Sequence, residues 1–213
     1  IKIRIPGWAQ NHPVPGDLYR YLDQSKDQVV LKVNGHAVNF IPDKGYALVR
    51  RIWRTGDVVD ISFPMPVRRV VANEKLLDDK GRVALERGPI VFCAEWPDNK
   101  DGNLSNLVLH DNAQLGTEFR KELLNGVQVV RASAIPVRRT LENSVITDPE
   151  QEFIAIPYYA WAHRGPGQMI VWPVRELSAA RPLPAPTIAC TSTATASEKR
   201  RADAINDQLE PKN

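Results

Sequence analysis

Residues 29–40, VVLKVNGHAVNF, read as strand, turn, strand. Apolar and polar residues alternate there, as they do along a strand with one buried face. Asn34 and Gly35 both tolerate the positive φ that the central positions of a type I′ turn require, so the pair is the tightest hairpin signal available. The same period runs outward in both directions. IKIRI (1–5) alternates apolar with basic residues, and GYALVRRIW (45–53) is another strand. TGDVVDISFPM (55–65) starts at a Gly-Asp turn. It sets Val58, Asp60 and Ser62 on one face and Val59, Ile61 and Phe63 on the other. RVALERGPIVFCAEW (82–96) is two strands punctuated by Gly88-Pro89. GVQVVRASAIPV (126–137), EFIAIPYYAWAH (152–163) and GQMIVWPV (167–174) complete the series.

Helical periodicity is confined to two short candidates, residues 16–24 and 116–124. The 17 prolines, many beside strand patterns, call for frequent edges and turns. The pattern predicts an all-β protein of antiparallel β-sandwich units, jelly-roll or Ig-like. Pro64 and Pro66 end one strand, and Pro, Ala, Ser and Thr dominate residues 181–201. These breaks give a partial sandwich over 1–66, a second over 67–182, and an extended linker from 183 to 213.

With 213 residues, 43% of them hydrophobic, the chain can bury a core. Its net charge of +3 is interspersed, with no basic stripe interleaved with aromatics, so no nucleic-acid partner is expected. The basic stretches at Val67-Arg68-Arg69, Val137-Arg138-Arg139 and Lys199-Arg200-Arg201 read as solvated faces or turns. No apolar run is long enough to span a membrane. The opening IKIRIPGW lacks a signal-peptide layout and is already strand-like, so a fragment cut at both ends is expected. Cys93 and Cys190 lie in different contexts, which argues against a disulfide framework or a zinc site and leaves the compartment open.

Five stretches in order, IKIRIPGWA, VNG, GYALVRRIWRTGDVVDISFPM, RVALERGPIVFCAEWPDN and IPYYAWAHRGPGQMIVW, resemble the C-terminal β-sandwich region of the family 127 glycoside hydrolases. The resemblance covers roughly residues 1–175, as a middle and a C-terminal sandwich domain. TASEKRRADAINDQLEPKN (195–213) is similar to the opening of a discoidin-like module. The resemblance implies a longer β-L-arabinofuranosidase-like enzyme with an N-terminal (α/α)6 barrel. It implies that the barrel holds a cysteine nucleophile, zinc-bound with other cysteines and a glutamate, and a glutamate acid/base. None of those motifs occurs here, so no catalytic residue carries over and no cofactor is expected in this chain. The barrel of the same polypeptide is the implied partner, with a plant-cell-wall oligosaccharide as a further candidate beside it. A bacterial periplasm and a bacterial cytoplasm both stay open as locations.

Candidate residues carry their plainer readings beside them. Cys93 sits on a strand, with Val91 and Glu95 on its own face and Phe92 and Ala94 on the other; it reads as a structural thiol. Glu86, Glu95 and Asp98 could be drawn as a glycosidase pair, but strand-end carboxylates that satisfy arginines are commoner. WPDNKDGN (96–103) has the Asp/Asn density of a calcium loop without its spacing. His12, His36, His110 and His163 stand at no metal-ligand spacing. On a continuous strand, Tyr159, Trp161 and His163 would share a face. Core packing, contact with the barrel and sugar stacking all stay open for that row. RGPG (164–167) is expected to be the hairpin turn, with positive φ at Gly165 and Gly167. The expected role is a non-catalytic accessory region of a family 127-like hydrolase. A carbohydrate-binding module without hydrolytic activity is the alternative.

Overall fold

The strands run β1 (Lys2–Arg4), β2 (Tyr19–Tyr21), β3 (Val30–Val33), β4 (His36–Ala37), β5 (Tyr46–Leu48), β6 (Val59–Ser62), β7 (Val67–Ala72) and β8 (Ala84–Arg87). They continue as β9 (Ile90–Glu95), β10 (Leu107–Val108), β11 (Gly116–Arg120), β12 (Val127–Arg139), β13 (Val145–Thr147), β14 (Gln151–Pro157) and β15 (Met169–Ile170). The computed structural model describes residues 1–185. All pairings between these strands are antiparallel. Among the described residues the helical segments are short 3-10 turns, and no helix is long and apolar enough to cross a membrane.

The first unit packs the sheet β4-β3-β6 with the pair β1-β5 around Ile5, Leu31, Val33, Ala47 and Val49. Its hairpin forms at Asn34-Gly35, with φ of 51° and 79°. The Asn34 side chain also holds the next turn. Its Nδ2 donates to Asp57 Oδ1 and its Oδ1 accepts from the Val58 N–H, each at 2.8 Å.

The large sheet runs β10-β12-β14-β9-β8-β7-β2, with β11 and β13 on β12 and β15 on β9. It curls into a half-barrel. Its central strands are buried on both faces. Phe153 and Ala155 of β14 enter one apolar cluster with Phe92 and Ala94, while Ile154 and Ile156 enter another with Cys93, Val127 and Val129. β12 is long because its partners change along it: β11 and β14, then β10, then β13.

Several expectations are corrected. Residues 16–24 and 116–124 hold β2 and β11, not helices. Nine residues are too few for a helix to hold itself in water; ladder pairing with β7 and β12 wins. Leu124 and Asn125, at φ of 50° and 63°, would also break any helix there. The boundary at Pro64 and Pro66 is not one of these corrections; β2 pairs with β7 across it, Tyr19 with Ala72 and Tyr21 with Val70. Arg68 is not solvated; it is 5% exposed on a strand flanked by β2 and β8. Its guanidinium lies 3.6 Å from the Tyr21 ring centroid and donates to the Asp23 carbonyl. Leu183 is tied to β12 by backbone hydrogen bonds with Val137 and Arg139. Residues 186–213, which hold most of the expected linker with Cys190, Lys199-Arg200-Arg201 and the discoidin-like stretch, lie outside the described residues.

Candidate functional site

Pro157 ends β14 because proline has no N–H to extend a ladder. Tyr158–Ala160 then turn as a 3-10 segment. The alternation of period two stops at that point, so the expected face of Tyr159, Trp161 and His163 does not form. Tyr159 is 70% exposed, Tyr158 43% and Trp161 36%, and His163 is exposed too, which rules out core packing for this row. The rings that meet are Tyr158 and Trp161, with centroids 6.0 Å apart and planes at 27°. A 3-10 turn eclipses residues three apart, which is how this pair forms.

The following Gly-Pro-Gly is not the turn of a hairpin. β14 pairs with Phe92 and Cys93 of β9, and β15 pairs with Ala94 and Glu95 of the same strand. Gly165 has the expected positive φ, +88°. Gly167 does not; it is glycine for space. A Cβ there would stand 1.9 Å from Trp96 Cδ1.

Under the aromatic loop sits a compact ionic lock. Arg164 Nε donates to Glu95 Oε2 at 2.9 Å, Nη1 to Asp98 Oδ1 at 2.7 Å and Nη2 to Asp98 Oδ2 at 2.6 Å. Nη2 also bonds Glu95 Oε2. The side chains of Arg164, Glu95 and Asp98 are 19%, 6% and 9% exposed. The hydrogen bonds it donates to Asp98, joined by those to Glu95, raise the guanidinium above its ordinary range against the opposing effect of burial. It is charged at every accessible pH. The second Glu95 oxygen accepts the Ala162 N–H at 2.9 Å. Ala162 is left-handed, at φ 70°, a conformation that costs roughly 1–2 kcal/mol for a residue with a Cβ. Glu95 thus fixes both a cation and an unfavourable backbone.

A second clamp lies behind it. Asn99, buried, donates from Nδ2 to the carbonyls of Glu95 and Ile154 at 2.9 and 3.0 Å, and its Oδ1 accepts from the Ile154 N–H at 3.1 Å. This fastens the turns of residues 96–102 to β14. WPDNKDGN is therefore two 3-10 turns that serve the loop.

The other candidates do not assemble. Burial, then the charge of Glu95, pushes the Cys93 thiol up to about 12, so it is neutral and unreactive near neutral pH. Glu95 and Asp98 share one arginine, and Glu86 accepts from the Tyr21 hydroxyl at 3.0 Å. Burial raises the Glu86 carboxyl. Among the described residues no three His, Cys, Asp or Glu side chains gather as metal ligands would. The roles of Arg164 and Asn99 were missed from sequence. Their partners lie up to 69 residues away, and no spacing rule reaches that far.

Fold and site together define a two-unit antiparallel β region that displays an anchored aromatic loop, with no acid/base pair assembled among the described residues. Residues 1–65 match the model of the family 127 β-L-arabinofuranosidase middle domain, and residues 67–173 match that of the family 127 C-terminal domain. The chain belongs to glycoside hydrolase family 127. It is 32% identical over 184 residues to a non-reducing end β-L-arabinofuranosidase of Bifidobacterium longum subsp. longum, covering 80% of this chain and 25% of that protein. A solved family 127 β-arabinofuranosidase is 42% identical with a TM-score of 0.79, covering 87% of this chain and 28% of that one. A β-L-arabinofuranosidase from Geobacillus stearothermophilus T6 is 36% identical with a TM-score of 0.68, covering 82% and 26%. The chain thus spans about a quarter of these relatives.

Proposed function

We propose that this chain is the non-catalytic accessory region of a longer family 127 enzyme, which hydrolyses L-arabinofuranosides or related plant-polysaccharide sugars with retention. The observation that carries the reading is the match to a middle and a C-terminal domain, in relatives of which the chain spans about a quarter. Catalysis and any zinc belong, in this reading, to an (α/α)6 barrel elsewhere in the polypeptide. The residues described here do not fit such a zinc, since Cys93 faces an apolar cluster and no ligand group gathers around it.

The test is hydrolysis of p-nitrophenyl β-L-arabinofuranoside by the full-length polypeptide and by residues 1–213 alone. Turnover by the first and none by the second is expected. Turnover by the short chain that Cys93→Ala abolishes would overturn the reading.

A further inference from the structure

We infer that the loop carrying Tyr158, Tyr159 and Trp161 is a docking surface for the catalytic part of the same polypeptide. The inference rests on the accessory reading and adds the place of contact. Exposed aromatics on a mobile loop would mean little. These stand on a loop fixed from below by Arg164, Glu95 and Asp98, with Trp96 packed against Gly167. Ala162 is held left-handed within the loop. Backbone kept in an unfavourable conformation by surrounding groups concentrates at functional positions. Rigid aromatic side chains are also the residues that dominate protein interfaces.

The choice of occupant follows from shape, charge and length. Tyr158 and Trp161 stack on each other, so the two rings stand as one braced aromatic pair beside the exposed Tyr159. Arg164 turns its charge inward, and the rest of residues 158–167 holds no Asp, Glu, Lys or Arg side chain. The chain covers 25% of its Bifidobacterium relative, so about three quarters of that protein lies outside this region and is available to cover such a surface.

The test places p-benzoylphenylalanine at position 159 of the full-length polypeptide and irradiates it, with and without arabino-oligosaccharide. Hydroxyl-radical labelling of the unaltered protein is read in parallel. The expected result is an intramolecular cross-link to residues outside this region, unchanged by sugar. Tyr159 should also label several-fold more slowly than Phe119, which is 62% exposed. A cross-link between two polypeptides, a cross-link to sugar, or no cross-link with Tyr159 labelled as fast as Phe119 each overturns the proposal. Failure of the accessory reading looks different: it is turnover by residues 1–213 alone, whatever position 159 touches.

Discussion

At position 93 a thiol that looks like a nucleophile in the sequence is a core residue, 1% exposed, among Val127, Val129, Ile154 and Ile156. Burial raises its pKa from 9.0 to about 12. The folded state therefore binds this proton more tightly than the unfolded state does. Its contribution to stability is complete below the unfolded value and is lost as pH rises from 9.0 towards about 12. The slope is at most about 1.4 kcal/mol per pH unit. We expect the stability difference between wild type and Cys93→Ala to be flat below about pH 8 and to shrink at higher pH, and the native thiol to resist iodoacetamide. A constant difference, with alkylation as fast as a free thiol, would sink this account. The structural reading of Cys93 was available from its strand context. The burial of Arg68 was not, because Val67-Arg68-Arg69 shows a basic stretch and gives no sign that β2 lays the Tyr21 ring on it.

Elements were most legible where local chemistry alone decides them. Asn34-Gly35 gave its hairpin, and Gly88-Pro89 its two-residue turn between Arg87 and Ile90, with Gly88 at the φ of +60° that a II′ turn asks of its first central residue. Elements failed where long-range pairing decides. β2 and β11 looked helical until β7 and β12 claimed them, and EFIAIPYYAWAH looked like one strand although Pro157 ends it. The two glycines of Gly-Pro-Gly separate a local cause from a tertiary one. Gly167→Ala drives a Cβ into the Trp96 indole and is expected to cost about 1–3 kcal/mol and to shift tryptophan emission. Gly165→Ala meets nothing within 4 Å and carries only its φ of +88°. It should cost about 1–2 kcal/mol with emission unchanged. Equal stability of Gly167→Ala and wild type in a thermal melt would remove the packing argument.

The whole molecule is held together by more than its connector. β2 leaves the first unit to pair with β7 of the second, and Trp8 packs on a cluster of Tyr21, Val70 and Ala84 that also takes Tyr19 and Trp172. The same Trp8 lies 5.5 Å from the Phe63 ring, which belongs to the first unit's core. One tryptophan therefore touches both cores. Neither unit can lose its packing without exposing that cluster, and cooperative opening follows contacts of this kind. In native-state hydrogen exchange of the full-length polypeptide under rising urea, amides of β3 and β6 should merge into one opening isotherm with those of β7, β8 and β9. Tyr21→Ala should split that isotherm. It removes the ring beneath the buried Arg68 and the hydroxyl that donates to Glu86, and leaves two ionisable groups without those partners. Two separate isotherms in the wild type would mean that β2 and Trp8 join the units in space without joining them energetically. The sandwich over β1 and β3–β6 would then be an independent body on the Pro64–Pro66 connector.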